Sequence, residues 1–366
     1  MPDYRYRAYD PREASLRNLT DTLRRIFNEL LLRTSGDVEE ALRYLQHIAE
    51  RNGLIDDQFS MDDFRELLER ERTIAHDRTG KLKLTPKGEQ VIRSESLDAI
   101  FSSLRTDNAG EHRVPSSGAG RERLPETRPY AFGDPISLVD GPGTITNAIR
   151  RSGLDELSVT EEDLQVFETE HLSSAATVML VDISHSMILY GEDRITPAKR
   201  VALALAELIT TRYPKDALHV VLFGDEAEEV AIDDLPYISV GPYHTNTRGG
   251  LRLAQDILRT RKQANRQIFM ITDGKPSALT ERDGSIYKNP FGLDERVVNK
   301  TLDEAANCRR KGIPVTTFML TDDPVLVDFV DQFTQINHGR AYYSEPNKLG
   351  DFVLVDFMRN RRRRMR

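Results

Sequence analysis

From Ala176 onward, five apolar runs, "ATVMLVD", "ALHVVLFG", "RQIFMITDG", "IPVTTFML" and "GRAYYS", alternate with three helical stretches, "ITPAKRVALALAELITTRY", "TRGGLRLAQDILRTR" and "DERVVNKTLDEAANCRRKG". Strand, helix, strand in this rhythm calls for right-handed crossovers and a mostly parallel sheet covered on both faces. The expected fold is therefore α/β: a doubly wound, mostly parallel, Rossmann-like sheet. In such sheets ligands bind at the carboxyl ends of the strands, near the switch in strand order. The stretch "VMLVDISHSM", Val178 to Met187, falls there, where four apolar residues give way to Asp182, Ser184 and Ser186.

The region before it has another rhythm. "LRNLTDTLRRIFNELLL" sets Leu16, Leu19, Leu23, Ile26, Leu30 and Leu31 near a 3.6-residue period, and "DVEEALRYLQHIAERNGL" does so with Leu42, Leu45 and Ile48. "SMDDFRELLERER" opens on Ser60, an N-cap residue followed by two acids that favour a helix start. "GKLKLTPKGEQVI" reads as a short strand, a turn and a helix, and Leu84 to Gly88 resembles the wing-to-helix junction of winged-helix domains. Residues 1–105 thus form a mainly helical N-terminal region. "TDNAGEHRVPSSGAGRERLPETRP" has almost nothing to bury, so 106–130 reads as a flexible linker. Residues 131–174 form a lead-in with a short helix and a strand at Leu164 to Glu168, 175–356 the α/β domain, and 357–366 a basic tail.

Composition narrows the partners. Cys308 is the single cysteine, which excludes intramolecular disulfides and cysteine-based zinc sites and fits a reducing, cytoplasmic setting. The start "MPDYRYRAYDPREAS" lacks the apolar core of a signal peptide, and no segment approaches the roughly 20 apolar residues of a membrane span. A soluble protein is expected. Net charge is −8 although the last eight residues carry six arginines, and an acidic body with a basic tail does not suggest a general nucleic-acid binder.

Three segments bring oxygen donors to the carboxyl edge of the sheet: Asp182, Ser184 and Ser186 after the first strand, "HTNTRGG" before the helix near Arg248, and Asp273 after "QIFMIT". By themselves such side chains can hold a metal ion, hold a phosphate, or merely close a turn. Two carboxylates and several hydroxyls, without cysteine or a His pair at metal spacing, favour a hard cation such as Mg²⁺, with Mn²⁺ the alternative.

Here the chain resembles a known family. "DISHS", the threonine of "HTNT" and the "ITDG" aspartate are similar to the Asp-x-Ser-x-Ser, Thr and Asp elements of the metal-ion-dependent adhesion site (MIDAS) in von Willebrand factor A (VWA) domains. Carried over residue by residue, the resemblance implies the ligand set Asp182, Ser184, Ser186, Thr245 and Asp273. Thr247 lies in the same segment, and the family places the ligand on the first threonine of such a pair. The likeness covers about residues 175–350. Within the family, "LQVFETEHLSSAATVMLVDISHSM" is similar to bacterial proteins allied to the magnesium chelatase D subunit and to partners of MoxR-type AAA+ ATPases. That implies a metal-binding protein–protein interaction module, an adaptor that holds a partner's acidic side chain through Mg²⁺ and serves an AAA+ ATPase.

Two other classes compete. A metal-dependent hydrolase would need a general base and a substrate pocket, and the sequence shows neither. A phosphatase of the haloacid dehalogenase type needs Asp-x-Asp, where this chain has Ser184, and no Gly-x-Ser-x-Gly elbow marks a serine hydrolase. The chain is therefore not expected to be an enzyme. A nucleic-acid-binding regulator would use the wing and the arginine tail. His185 is expected to face solvent or a partner, His244 to sit on the rim without coordinating, and Cys308 to be a buried, inert thiol. The connection "GKPSALTERDGSIYKNPFGLDER" after Asp273 is long and should overhang the metal edge.

Overall fold

A computed structural model describes residues 11–55, 59–107, 123–130, 139–153, 158–169, 174–191, 193–263, 265–273, 275–289, 291–321 and 323–361. The chain forms two compact units, Met1–Ala109 with Ala175–Val355, and Gly110–Ser174 with Asp356–Arg366.

The first unit begins with helices α1 (Pro11–Arg33), α2 (Val38–Arg51) and α3 (Met61–Arg70). Asp37 caps α2 by accepting from the Glu40 amide, and Ser60 caps α3 through a reciprocal box with Asp63, as the sequence leads one to expect. A two-stranded antiparallel hairpin follows, β1 (Ile74–His76) and β2 (Leu82–Leu84), then helix α4 (Pro86–Asp107). The junction flagged in the sequence is sterically fixed at Gly88. A Cβ there would lie 2.2 Å from the Thr73 carbonyl oxygen, so only glycine lets α4 start against the hairpin. The Thr85 hydroxyl accepts from the Gly88 amide at 3.1 Å, closing the first turn.

In the second unit, strand β3 (Arg123–Pro129) pairs antiparallel with β4 (Gln165–Thr169), and helix α5 (Gly141–Ser152) lies between them in sequence. Part of the stretch read as linker is therefore a strand: Thr127, Arg128 and Pro129 stand opposite Phe167, Val166 and Gln165. A polar sequence can hold a strand when the ladder rather than a buried face stabilises it. Asp163 accepts from Arg151 at 2.9 Å and from the Thr160 amide at 2.8 Å, which pushes its pKa far below the usual carboxylate range and ties α5 to the turn before β4.

The α/β domain follows, and its last helix continues from Asp356 on into the second unit. In chain order it has β5 (Ala175–Asp182), α6 (Ile195–Arg212), β6 (Ala217–Phe223), β7 (Ala227–Val230), α7 (Thr247–Arg259), β8 (Asn265–Thr272), the hairpin β9 (Ala278–Thr280) and β10 (Ile286–Lys288), α8 (Glu295–Arg310), β11 (Val315–Met319), α9 (Pro324–Asn337), β12 (Arg340–Tyr343) and α10 (Leu349–Arg361). Six strands make one sheet in the order β12-β11-β8-β5-β6-β7, parallel except for the edge strand β7. This is the expected doubly wound, mostly parallel arrangement, with β7 as an unforeseen antiparallel edge.

All eight residues of β5 are buried, as a central strand covered on both faces requires. Val178 and Leu180 join Leu251, Ala254, Leu258, Ala305, Cys308 and Phe333 in the core under α7, α8 and α9. Helix α6 is buried nearly all round, from Ile195 through Ile209. Such a helix must be covered on two sides. The sheet covers one side and α1 and α4 the other, which is why the helical region shares a unit with the α/β domain instead of standing as a separate body. Lys199 of α6 is buried and donates to the Leu32 carbonyl at the end of α1 (3.0 Å) and to the Ser35 hydroxyl (3.4 Å). Arg200 pairs with Glu29, and Arg93 of α4 with Glu207 at 3.7 Å. Among the described residues no helix is long and apolar enough to cross a membrane.

Candidate metal centre

Strand order switches at β5, whose neighbours β6 and β8 lie on either side of it. Asp182 ends β5 and Asp273 follows the last residue of β8, so the two acids leave adjacent parallel strands at the same edge. Both are buried. Asp182 is held by short-range geometry: its Oδ1 accepts the Ser184 amide at 2.9 Å, and its Oδ2 accepts the Thr272 hydroxyl at 2.6 Å. The chain then enters a 3₁₀ turn, His185–Gly191, in which the Ser184 and Ser186 hydroxyls stand 3.1 Å apart.

Backbone hydrogen bonds stitch the three connections together. The His185 amide donates to the Tyr243 carbonyl at 3.1 Å, joining the first to the second. The Thr245 carbonyl accepts the Ser277 and Ala278 amides at 3.0 and 3.1 Å, and the Thr245 amide donates to the Ser277 hydroxyl at 3.0 Å, joining the second to the third. The Ser186 hydroxyl reaches the Asp273 carboxylate, joining the third to the first. Asp182, Ser184 and Asp273, all buried, thus share one cluster with the partly buried Ser186, and Thr245 sits in a loop bonded to both flanking connections. Thr247 is also buried but is the first residue of α7, behind its N-cap Asn246.

Electrostatics set this cluster apart. Burial raises the Asp182 pKa above the ordinary carboxylate value, and the nearby Asp273 charge raises it further, against hydrogen bonds from Ser184 and Thr272. Burial likewise raises Asp273, opposed by the Ser186 hydroxyl and by Arg194 and Lys275. Arg194 Nη1 lies 3.4 Å from Asp273 Oδ2, while Asp273 Oδ1 is buried without a hydrogen-bond partner. Two buried like charges, one with an orphaned oxygen, are costly unless a cation joins them. Among the described residues no group of three or more His, Cys, Asp or Glu side chains gathers, so the donor set is two carboxylates with hydroxyls, suited to a hard, oxygen-seeking ion.

The neighbours of the cluster behave in several ways. His185 is exposed while Ser184 before it is buried. The His244 amide donates to Asp225 Oδ1 at 2.9 Å and its Nδ1 lies 3.6 Å from the same oxygen, so the ring turns toward Asp225. Burial and then Glu304 push the Cys308 thiol up to about 12, leaving it unreactive. The long connection after Asp273 forms the β9–β10 hairpin and lies along the second loop: Asn246 Nδ2 donates to Thr280 Oγ1 at 2.7 Å, and Lys288 pairs with Asp225 at 2.5 Å. Sequence reasoning missed Thr272, Ser277 and Arg194. Thr272 was within reach, because parallel pairing of Val181 with Ile271 sets it beside Asp182. Arg194 lies eight positions after Ser186 with no pattern to mark it.

A family model described as "Rv0959-like protein, vWA domain" matches residues 175–358, half of the chain. The chain belongs to the Rv0959-like vWA family. The family's third-domain model matches residues 122–169, the segment that carries the β3–β4 pair. Relatives include the proteins Rv0959 of Mycobacterium tuberculosis H37Rv and Mb0984 of Mycobacterium bovis, each 34% identical over 317 residues. The match takes in 82% of this chain and 46% of each relative, so the chain spans about half the length of these relatives. Similar solved structures include the vWF domain of the type V pili tip protein Mfa5 from Porphyromonas gingivalis, at 12% identity over 53% of this chain and 98% of that one, with a TM-score of 0.41. The SpRpn10 VWA domain aligns at 17% identity over 49% and 94%, with a TM-score of 0.37.

Proposed function

We propose that the vWA domain of this Rv0959-like protein is a metal-dependent protein–protein interaction module. Asp182, Ser184, Ser186, Thr245 and Asp273 would hold Mg²⁺, with Mn²⁺ as a substitute. The observation that carries the reading is the buried Asp182–Asp273 pair with Asp273 Oδ1 unpartnered, since a divalent cation is the simplest species that turns this arrangement from a cost into a gain. When bound, the ion supplies an electrophilic position for an oxygen of the partner. The residues of this chain would fix the donor atoms and exclude water behind them, and the Thr272 and Ser186 hydroxyls would oppose the rise in the carboxylate pKa values that burial causes.

A protein partner is favoured by what surrounds the edge. Each of the three connections exposes a large apolar side chain: Ile188 at 43%, Tyr243 at 41% and Phe291 at 83%. Phe291 is two residues beyond Asn289, whose amide donates to the Ser277 carbonyl beside Thr245. Apolar side chains around a charged centre suit an acidic side chain presented on a protein surface. The expected partner is an AAA+ ATPase of the MoxR-like or chelatase-like kind, to which the chain would act as adaptor. The exposed surface of α3 carries Asp62, Asp63 and Glu66, with Arg65 and Arg70 paired to Glu69 and Glu66 within the helix, a charge distribution unsuited to a phosphate backbone.

The test is a pull-down from native lysate with wild-type protein and Asp182→Ala, each with Mg²⁺ and with EDTA. A partner retained only by wild type with Mg²⁺ is the expected result. The same proteins recovered in all four conditions would sink the metal-dependent reading, and turnover of a substrate lost in Asp182→Ala would replace it with an enzymatic one.

A further inference from the structure

The helical region holds a cavity of about 300 Å³, walled by α1, α4 and the turn between α3 and β1, and lined by none of the residues of the metal centre. That volume is at the small end of ligand pockets.

Charge is unevenly spread along it. On α4, the lining residues Lys87, Val91 and Glu95 recur every four positions, so they share a face and set a cation and an acid about 12 Å apart along the axis with an apolar residue between. On α1, Arg24 and Asn28 stand one turn apart in the same sense. At one end, Arg24 Nη2 meets Glu71 Oε1 at 2.5 Å and Lys87 Nζ donates to the Glu71 carbonyl at 2.8 Å, so two cations stand against one acid. Arg24 Nε is buried there with no hydrogen-bond partner among the described residues. At the other end, Glu95 accepts from the Asn28 amide, a neutral donor, and among the described residues no cation pairs with it. The cavity is thus net positive at Arg24 and Lys87 and net negative at Glu95, with Phe27 and Val91 as its apolar wall. The two ends are too far apart to neutralise each other, and a ligand with complementary charges at that spacing is recognised at both.

We infer that this cavity binds a small zwitterion, its carboxylate against Arg24 and Lys87 and its ammonium group against Glu95. An α-amino acid holds its charges too close together to reach both ends. An extended dipeptide separates them by about 7 Å, which with the reach of the lysine and glutamate side chains spans the gap. An ω-amino acid of similar length carries the same chemistry. The site uses no divalent ion and stands apart from the function proposed above.

The experiment uses the full chain in EDTA, with alanylalanine and 6-aminohexanoate as probes and ligand-observed NMR titration as the readout. In wild type, acetylating the amino group of alanylalanine or amidating its carboxyl should each weaken binding by about tenfold. Glu95→Gln should no longer distinguish the free amino group from the acetylated one but should still reject the amide. Lys87→Met should lose most of the discrimination against the amide and still reject the acetylated form. Thermal melting checks that each variant is folded, and because Lys87 is exposed its variant decides the matter should Glu95→Gln melt early. Tighter binding of alanylalanine than of 6-aminohexanoate supports the inference with a peptide as ligand, and the reverse order supports it with an ω-amino acid. Neither zwitterion binding to wild type, blocked forms binding as well as the free dipeptide, or full discrimination surviving in both variants overturns the inference and leaves the proposed metal site untouched.

Discussion

Two of the places where the protein buries charge are treated oppositely. At the α1–α6 contact, Lys199 is buried with the Leu32 carbonyl at 3.0 Å, the Ser35 hydroxyl at 3.4 Å and the Pro236 carbonyl at 3.5 Å around its ammonium group. Those carbonyls are neutral oxygens, one of them at the negative end of a long helix, so the charge is solvated by the protein itself. Burial still lowers the Lys199 pKa to about 8, but no donor or acceptor is left waiting. At the strand edge, Asp182 and Asp273 are buried with charges of the same sign, and one oxygen has no partner. The first site is complete and holds two parts of the fold together. The second, on the function proposed above, is completed by a ligand.

Breaking the complete site should cost the most stability. Lys199→Ala leaves a cavity and two buried carbonyls without a donor, and should destabilise the protein by about 2–4 kcal/mol, measured by urea unfolding. The loss should be the same with and without Mg²⁺, because this contact lies away from the ion. A loss that depends on Mg²⁺ would mean that the two regions are coupled.

The incomplete site should respond in the opposite sense to removal of a charge. Because the folded-state pKa values of Asp182 and Asp273 are raised, their contribution to stability is present at low pH and is lost as pH rises through the raised values. In EDTA near pH ~8, Asp182→Asn should therefore be more stable than wild type by about 1–2 kcal/mol, and the gap should close toward the unfolded-state carboxylate pKa, near pH ~4. A gap that grew toward acid pH would show that the pair is not strained by its own charge.

The smallest effect sharpens the donor set. Thr245→Ala should weaken Mn²⁺ binding by about tenfold, and Thr247→Ala by less than about twofold, as read by calorimetric titration. The reverse order would move the threonine ligand onto the first turn of α7.

These contrasts were legible to different degrees in the sequence. The sheet was readable because each strand is a short apolar run and each helix a longer periodic one, so that pattern and length agree from Ala176 to the end of the domain. The acids and hydroxyls stood out because oxygen-bearing residues follow strand ends. The strand β3 did not, since "RLPETRP" has no alternation and owes its form to the ladder with β4. Nor did the cover on α6: "VALALAELI" announces a helix buried all round but does not say what buries it. Arg194 and Ser277 belong to the site through tertiary contacts alone, with nothing local in sequence to identify them.

The central claim is that the Asp182–Asp273 pair is an unfinished site completed by a divalent cation. Thermal unfolding of wild type and Asp182→Asn, each in EDTA and in excess Mg²⁺ near pH ~8, tests it most directly. The account predicts that Mg²⁺ raises the wild-type midpoint by about 3–6 °C and leaves Asp182→Asn unchanged. A wild-type midpoint indifferent to Mg²⁺, or an equal rise in both proteins, would contradict it.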